Sequence, residues 1–99
     1  MVKAKQSIKV KVKFFTTFRQ LFGTETKDIE LESGTDIEAL VHLLCDSQRC
    51  RQELFDNSGN IKQYVKILKN GRHIEFLGGI HTKLEEGDVL AMFPPAAGG

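Results

Sequence analysis

Residues 8–15 alternate without a break, with Ile8, Val10, Val12 and Phe14 on one face and Lys9, Lys11, Lys13 and Phe15 on the other. A period of two marks a strand that buries one face and keeps the other in water. Residues 27–32 repeat the pattern with opposite charge: Ile29 and Leu31 point inward, Asp28, Glu30 and Glu32 outward. Antiparallel pairing sets these acids across from the lysines, so the two runs predict a hairpin. Thr16 to Thr26, carrying Arg19, Leu21, Phe22 and Gly23, reads as its long connection.

A different period follows. Thr35 reads as a helix N-cap with Glu38 placed to complete a capping box. Ile37, Leu40, Val41 and Leu44 recur at helical spacing, with Cys45 one residue beyond, and predict an apolar stripe on a helix ending near Ser47. Residues 48–62 are polar, with a short helical turn expected from Arg51 to Phe55 and a loop over 56–60. Tyr64 to Leu68 reads as a strand, Asn70-Gly71 as a hairpin turn leading to Ile74 and Phe76, and Val89 to Phe93 as the last strand. Turns are read at Gly78-Gly79 and again over Glu85 to Asp88. The order ββαβ, a small hairpin, then β is an α+β pattern in which one side of a mixed sheet packs the helix. The helix supplies the crossover that lets the first and last strands lie parallel. That arrangement is a ubiquitin-like β-grasp.

A length of 99 residues suits one domain with an adequate core, and no repeat or linker interrupts it. The net charge of +1 gives no electrostatic support to nucleic-acid or membrane binding. Residues 1–7 contain lysines but no apolar stretch follows, so no signal peptide is expected, and no run approaches the length of a membrane span. The expected location is the cytoplasm. Cys45 and Cys50 are too few for a disulfide framework. With His42 they suggest metal ligation, but no fourth ligand stands nearby at a convincing spacing, so no metal is expected and Cys45 reads as a buried or half-buried thiol.

The final residues read Phe93-Pro94-Pro95-Ala96-Ala97-Gly98-Gly99. Pro94 and Pro95 hold the backbone extended and keep it out of helix or ladder. Gly98 and Gly99 lack a Cβ and make a thin peptide that fits a narrow channel. The expectation is a disordered extension over 1–7, a domain over 8–95, and a flexible tail over 96–99 presented to another enzyme's active site. Alternation sends Phe15 away from the helix, and Leu90 and Met92 facing the core send Ala91 and Phe93 outward with it. Neighbouring first and last strands then set two aromatics together on an exposed face, the usual mark of a contact surface, the alternative being that one ring folds over the sheet edge into the core. Arg19 reads equally as a docking residue at the rim or an ordinary solvated loop arginine.

The run Ile8-Lys-Val-Lys-Val-Lys-Phe-Phe-Thr-Thr-Phe-Arg-Gln-Leu-Phe-Gly23 resembles the opening of the MoaD/ThiS family of ubiquitin-like sulfur carriers. Lys69-Asn-Gly-Arg72, Leu84-Glu-Glu-Gly-Asp88 and the Phe93 to Gly99 segment resemble its hairpin, its late turn and its tail. The resemblance covers nearly all of 8–99, and the Phe-Pro-Pro step looks more like the molybdopterin synthase small subunit than the thiamine-pathway carrier. Two departures stand out. The segment from Asp46 to Gln63 is longer than in compact bacterial members, which suggests an archaeal-like branch. His73 stands where the synthase subunit tends to carry an apolar contact residue.

The resemblance implies a chemistry located at the tail. A carboxylate acylates poorly because its leaving group is oxide. In this family a separate ATP-dependent, E1-like enzyme converts it to an acyl-adenylate, and sulfur from a persulfide donor displaces AMP to leave a thiocarboxylate. The resemblance thus gives Gly99 the reacting carboxylate and Gly98 the fit to the channel. Phe15, Phe93, Arg19, Pro94 and Pro95 become partner-binding residues, and no bound cofactor or catalytic side chain is expected. In the synthase branch the partner is the large subunit of molybdopterin synthase, and the product is the pterin that binds molybdenum or tungsten. Conjugation of Gly99 to lysines of target proteins, or sulfur donation to thiamine or transfer RNA, would use the same tail.

Overall fold

The expected hairpin forms between β1 (Ser7–Phe14) and β2 (Thr26–Glu32), in a computed structural model that describes residues 6–94. Lys9 lies opposite Glu30 and Lys11 opposite Asp28, while Ile8 and Val10 face Leu31 and Ile29. β1 begins at Ser7, which brings that residue into the sheet rather than into a disordered extension. The rest of the expected extension, residues 1–5, and the tail from Pro95 to Gly99 lie outside the described residues.

The connection expected between these strands contains a short helix, α1 (Thr17–Phe22). Phe18 is buried, and Phe22 stacks on Phe14 with ring centroids 4.2 Å apart. One apolar turn packed on the hairpin is enough to make this helix, and it is too short to announce itself by periodicity.

The central helix, α2 (Ile37–Leu44), is capped by Asp36 and not by Thr35. Asp36 Oδ1 accepts from the Ala39 N–H at 2.9 Å, while the Thr35 hydroxyl donates back to the Glu32 carbonyl at 2.7 Å. Thr35 is committed to the preceding turn, so the helix starts one residue later and Glu38 is out of register for a capping box. Ile37, Leu40, Val41 and Leu44 are buried as the stripe predicts. The helix stops at Leu44, short of Ser47, and Ser47 caps the next helix, α3 (Gln48–Leu54), by accepting from the Cys50 N–H.

That sharp α2–α3 junction overturns the reading of the cysteines. Cys45 and Cys50 are both buried and joined by a disulfide, with Cα atoms 5.3 Å apart. The last turn of one helix meets the first turn of the next, a proximity that spacing alone does not show. His42 stacks on Phe55 at 4.4 Å, and the metal set weighed with the two cysteines is not available.

β3 (Lys66–Lys69) and β4 (Arg72–His73) flank the Asn70-Gly71 turn, where both residues have positive φ. The strand begins two residues later than expected, leaving Tyr64 exposed. Ile74 and Phe76 lie in a 3-10 turn and not in an extended arm, so Ile74 is buried and Phe76 exposed. A second 3-10 turn spans Gly79–His81, and β5 (Val89–Phe93) closes the sheet in the order β2-β1-β5-β3-β4. β1 and β5 are parallel central neighbours and the other pairings are antiparallel. The helices cover one face of this mixed sheet, and the arrangement is a ubiquitin-like β-grasp. Among the described residues no helix is long and apolar enough to cross a membrane.

The disulfide makes a stability prediction. Cross-linking across so short a loop contributes about 2 kcal/mol in the chain-entropy account. Denaturant melts with and without reductant should differ by roughly that amount. Thiol titration of the unfolded chain should detect both cysteines only after reduction.

Candidate functional site

Where β1 and β5 end side by side, the core decides what faces out. Phe14 pairs with Met92, and both are buried against the helices. Their successors therefore point to the opposite face. Phe15 and Phe93 stack there with centroids 4.4 Å apart and planes 9° from parallel, each half-buried. The ladder extends to this level, since the Phe15 N–H donates to the Met92 carbonyl at 3.2 Å. Stacked pairs add about 0.5–1.5 kcal/mol beyond their buried area, so the two rings hold each other in place.

Arg19 is returned to the same place by α1. Its guanidinium carbon lies over the Phe15 ring, 5.7 Å from the centroid, and its Nε–H donates to the Phe14 carbonyl at 3.1 Å. Nη1 stands 3.5 Å from Glu25 Oε1, with both side chains largely exposed, so that ion pair contributes little. The cation over the ring and the carbonyl contact fix Arg19 more firmly. The turn that makes this possible runs through Thr16 at φ 52°. A β-branched residue there costs about 1–3 kcal/mol unless its surroundings impose the conformation. Here the Thr16 hydroxyl donates to the Phe15 carbonyl, and the Arg19 N–H closes on the Thr16 carbonyl.

Around the stack, Phe93 lies opposite Lys66, while Ala91 lies between Lys13 and Leu68 on the same face. Phe15, Phe93, Ala91 and Leu68 are half-buried, and Lys13 and Lys66 are exposed. The result is an apolar strip with a basic border. Lys66 and Leu68 escaped the sequence reading because the pairing of β3 with β5 is not written in either strand alone. His73, opposite Leu68, accepts the Glu75 N–H at Nδ1 and meets the Phe76 ring edge-on. Pro94 continues directly from β5 and is half-buried. Pro95, Gly98 and Gly99 fall outside the described residues.

One cluster offers metal-type donors. Atoms of Asp36, Glu38 and His81 lie within 4.8 Å of one another. Asp36 already caps α2, and the positive end of the helix dipole disfavours a cation at this point. The cluster carries no metal reading.

With the geometry in place, the comparisons agree on one family. Residues 12–99 match the ThiS family. The chain belongs to it. Small archaeal modifier protein 3 of Haloferax volcanii is 31% identical over 93 residues, covering 93% of this chain and all of that protein. The molybdopterin synthase sulfur carrier subunit of Mycobacterium tuberculosis is 30% identical over 93 residues, covering 93% and 99%. A Haloferax volcanii protein determined in solution superposes with a TM-score of 0.81 at 29% identity, covering 100% of this chain and 93% of that one. This is a ubiquitin-like family of sulfur carriers and modifiers.

The stack makes a measurable contrast with the core. Leu40→Ala opens a cavity under the sheet and should cost roughly 2–5 kcal/mol. Phe93→Ala removes a half-exposed ring and should cost less than half as much. Denaturant melts of the two variants check this. If Phe93→Ala is as destabilising as Leu40→Ala, Phe93 belongs to the core.

Proposed function

We propose that this chain is a sulfur carrier whose Gly99 carboxylate is adenylated and then thiocarboxylated, and that it donates this sulfur in molybdopterin biosynthesis. The observation that carries the reading is the Phe15–Phe93 stack, which lies directly before Pro94, where the chain leaves β5. An aromatic pair held flat on an exposed face suits an anchor on a partner, and its position fixes where the following residues enter that partner. The family match runs through residue 99, and similarity to a molybdopterin synthase sulfur carrier subunit supports the finer assignment.

In this reading the chain acts as a cosubstrate. The Gly99 carboxylate attacks the α-phosphorus of ATP on an E1-like partner and releases pyrophosphate. The terminal sulfur of a persulfide donor displaces AMP from the acyl carbon, and a thiol splits the resulting acyl disulfide to leave the thiocarboxylate. That sulfur is ionised and nucleophilic at neutral pH. Gly98 gives the tail its slim approach, and Pro94 and Pro95 keep it extended. The large subunit of molybdopterin synthase then binds the stack and receives the tail, with Arg19 and Lys66 at the border of the contact.

The likeness to small archaeal modifier proteins favours a second reading, in which Gly99 is joined to lysines of target proteins through the same adenylate. Mass spectrometry of target lysines for an isopeptide-linked Leu84 to Gly99 remnant, left by cleavage after Lys83, separates the two products.

Intact mass after incubation with the adenylating enzyme, ATP and a persulfide donor should show one oxygen of the chain replaced by sulfur. Deleting Gly99 should abolish that species without changing the melting curve. Phe93→Ala should still accept sulfur, yet bind the large subunit at least about tenfold more weakly, the equivalent of ~1.4 kcal/mol. Sulfur transfer to a chain extended beyond Gly99 and left untrimmed would overturn the carrier reading.

A further inference from the structure

On the helical side of the sheet, a surface cavity of about 650 Å³ opens between α2, α3 and the loop that follows. This falls within the size range of small-molecule sites, roughly 300–1,000 Å³. Its lining includes His42 from α2, Gln52 and Arg51 from α3, Phe55 at the end of α3, and Lys62 from the returning loop. Among the described residues, neither Arg51 nor Lys62 has a carboxylate partner. The acid on the rim, Asp56, is turned to its own loop, where Oδ1 accepts the Ser58 and Asn60 N–H groups at 2.8 and 3.1 Å. The cavity is therefore cationic.

It is also framed on several sides. The Cys45–Cys50 disulfide ties the end of α2 to the first turn of α3, so His42 and Arg51 are held on linked walls. The Lys62 N–H donates to the Leu54 carbonyl at 2.7 Å, and the Asp56 N–H to the Asn60 carbonyl at 2.8 Å, which closes the loop. His42 is exposed and lies flat on the buried Phe55 ring, their planes 20° apart. A planar platform thus borders two unpaired cations of complementary type. A guanidinium offers a fork of donors and an ammonium a point charge, and both match phosphate oxygens.

We propose that this cavity binds a phosphate-bearing small molecule with a planar ring, of the nucleotide class, with its phosphate against Arg51 and Lys62 and its ring on His42. A flat ring and a dianion within one cavity of small-molecule size fit such a ligand better than an acidic peptide, which needs an extended groove. The inference is independent of the chemistry proposed for the tail.

Titrating the full-length, oxidised chain with AMP, and separately with inorganic phosphate, at low salt tests it by amide NMR. Saturable shifts should be confined to His42 and to residues 48–62, with AMP bound about tenfold more tightly than phosphate. Arg51→Ala combined with Lys62→Ala should weaken both ligands at least about tenfold, leaving the rest of the spectrum and the melting curve unchanged. His42→Ala should bring AMP down to the affinity of phosphate. Shifts spread over Lys9, Lys11 and Lys13, unchanged binding in the double variant, or equal affinity for AMP and phosphate would each overturn the proposal. So would a response of these amides to an acidic peptide but not to AMP.

Discussion

The parallel pairing of β1 with β5 is the constraint on which the rest depends. These strands come from opposite ends of the chain, and parallel neighbours cannot be joined by a tight turn. Everything between them must cross the sheet, and α2 makes the crossing with its buried stripe against Val12, Phe14, Leu90 and Met92. Register is the critical quantity. A slip of one residue would drive Phe15 and Phe93 into the core and expose Phe14 and Met92. The structure holds the register at its far end with a buried acid. Asp88 accepts from Asn70 Nδ2 and the Glu85 N–H and lies 3.3 Å from Lys69 Nζ. The same Asn70 accepts the Val89 N–H through its side chain and donates its own N–H to the Val89 carbonyl. The late turn and the β3–β4 hairpin are thereby locked to the first residue of β5, and the aromatic stack is set four residues further along.

Long-period patterns were legible in the sequence and local competition was not. The lysine and acid alternations yielded β1, β2 and their pairing, because period two and charge complementarity say the same thing twice. The outward placement of Phe15 and Phe93 followed from the same counting. Thr35 and Asp36 are both good caps, and the choice between them turned on a bond from Thr35 to Glu32 that depends on how β2 ends. The disulfide required two helices to meet at a corner, and α1 required tertiary packing of Phe18 and Phe22. Ile74 and Phe76 looked like a continuing strand, yet the chain turns there, with the Glu75 N–H donating to His73 Nδ1 and the Leu77 N–H to the Ile74 carbonyl. Each miss lies where tertiary contacts or a competing local bond decided the outcome.

The candidate site contrasts with an ordinary active centre. Among the described residues the charged groups around the stack are Arg19 with Glu25, Lys13 and Lys66, and its chemistry is that of shape and apolar area with a basic border. Such a surface suits the selection of a partner and the setting of an entry angle. The strained turn at Thr16 fits this role. A glycine would take the same conformation at less cost. What the turn produces is α1 close under the strand end, with Arg19 brought back over Phe15.

The two faces of the sheet are thus assigned to different tasks by the same core. The outer face carries the stack, continuous with the residues that lead to Gly98 and Gly99. The helical side carries the cationic cavity, framed by the α2–α3 disulfide. The buried core of apolar side chains separates them, and such cores interlock at crystal-like density. A close-packed layer of this kind transmits displacement only when it has two discrete arrangements, and nothing in the described residues offers a second one. Ligand binding at the cavity would then leave the geometry of the stack unchanged, and the two surfaces would act as independent binding faces of one small domain.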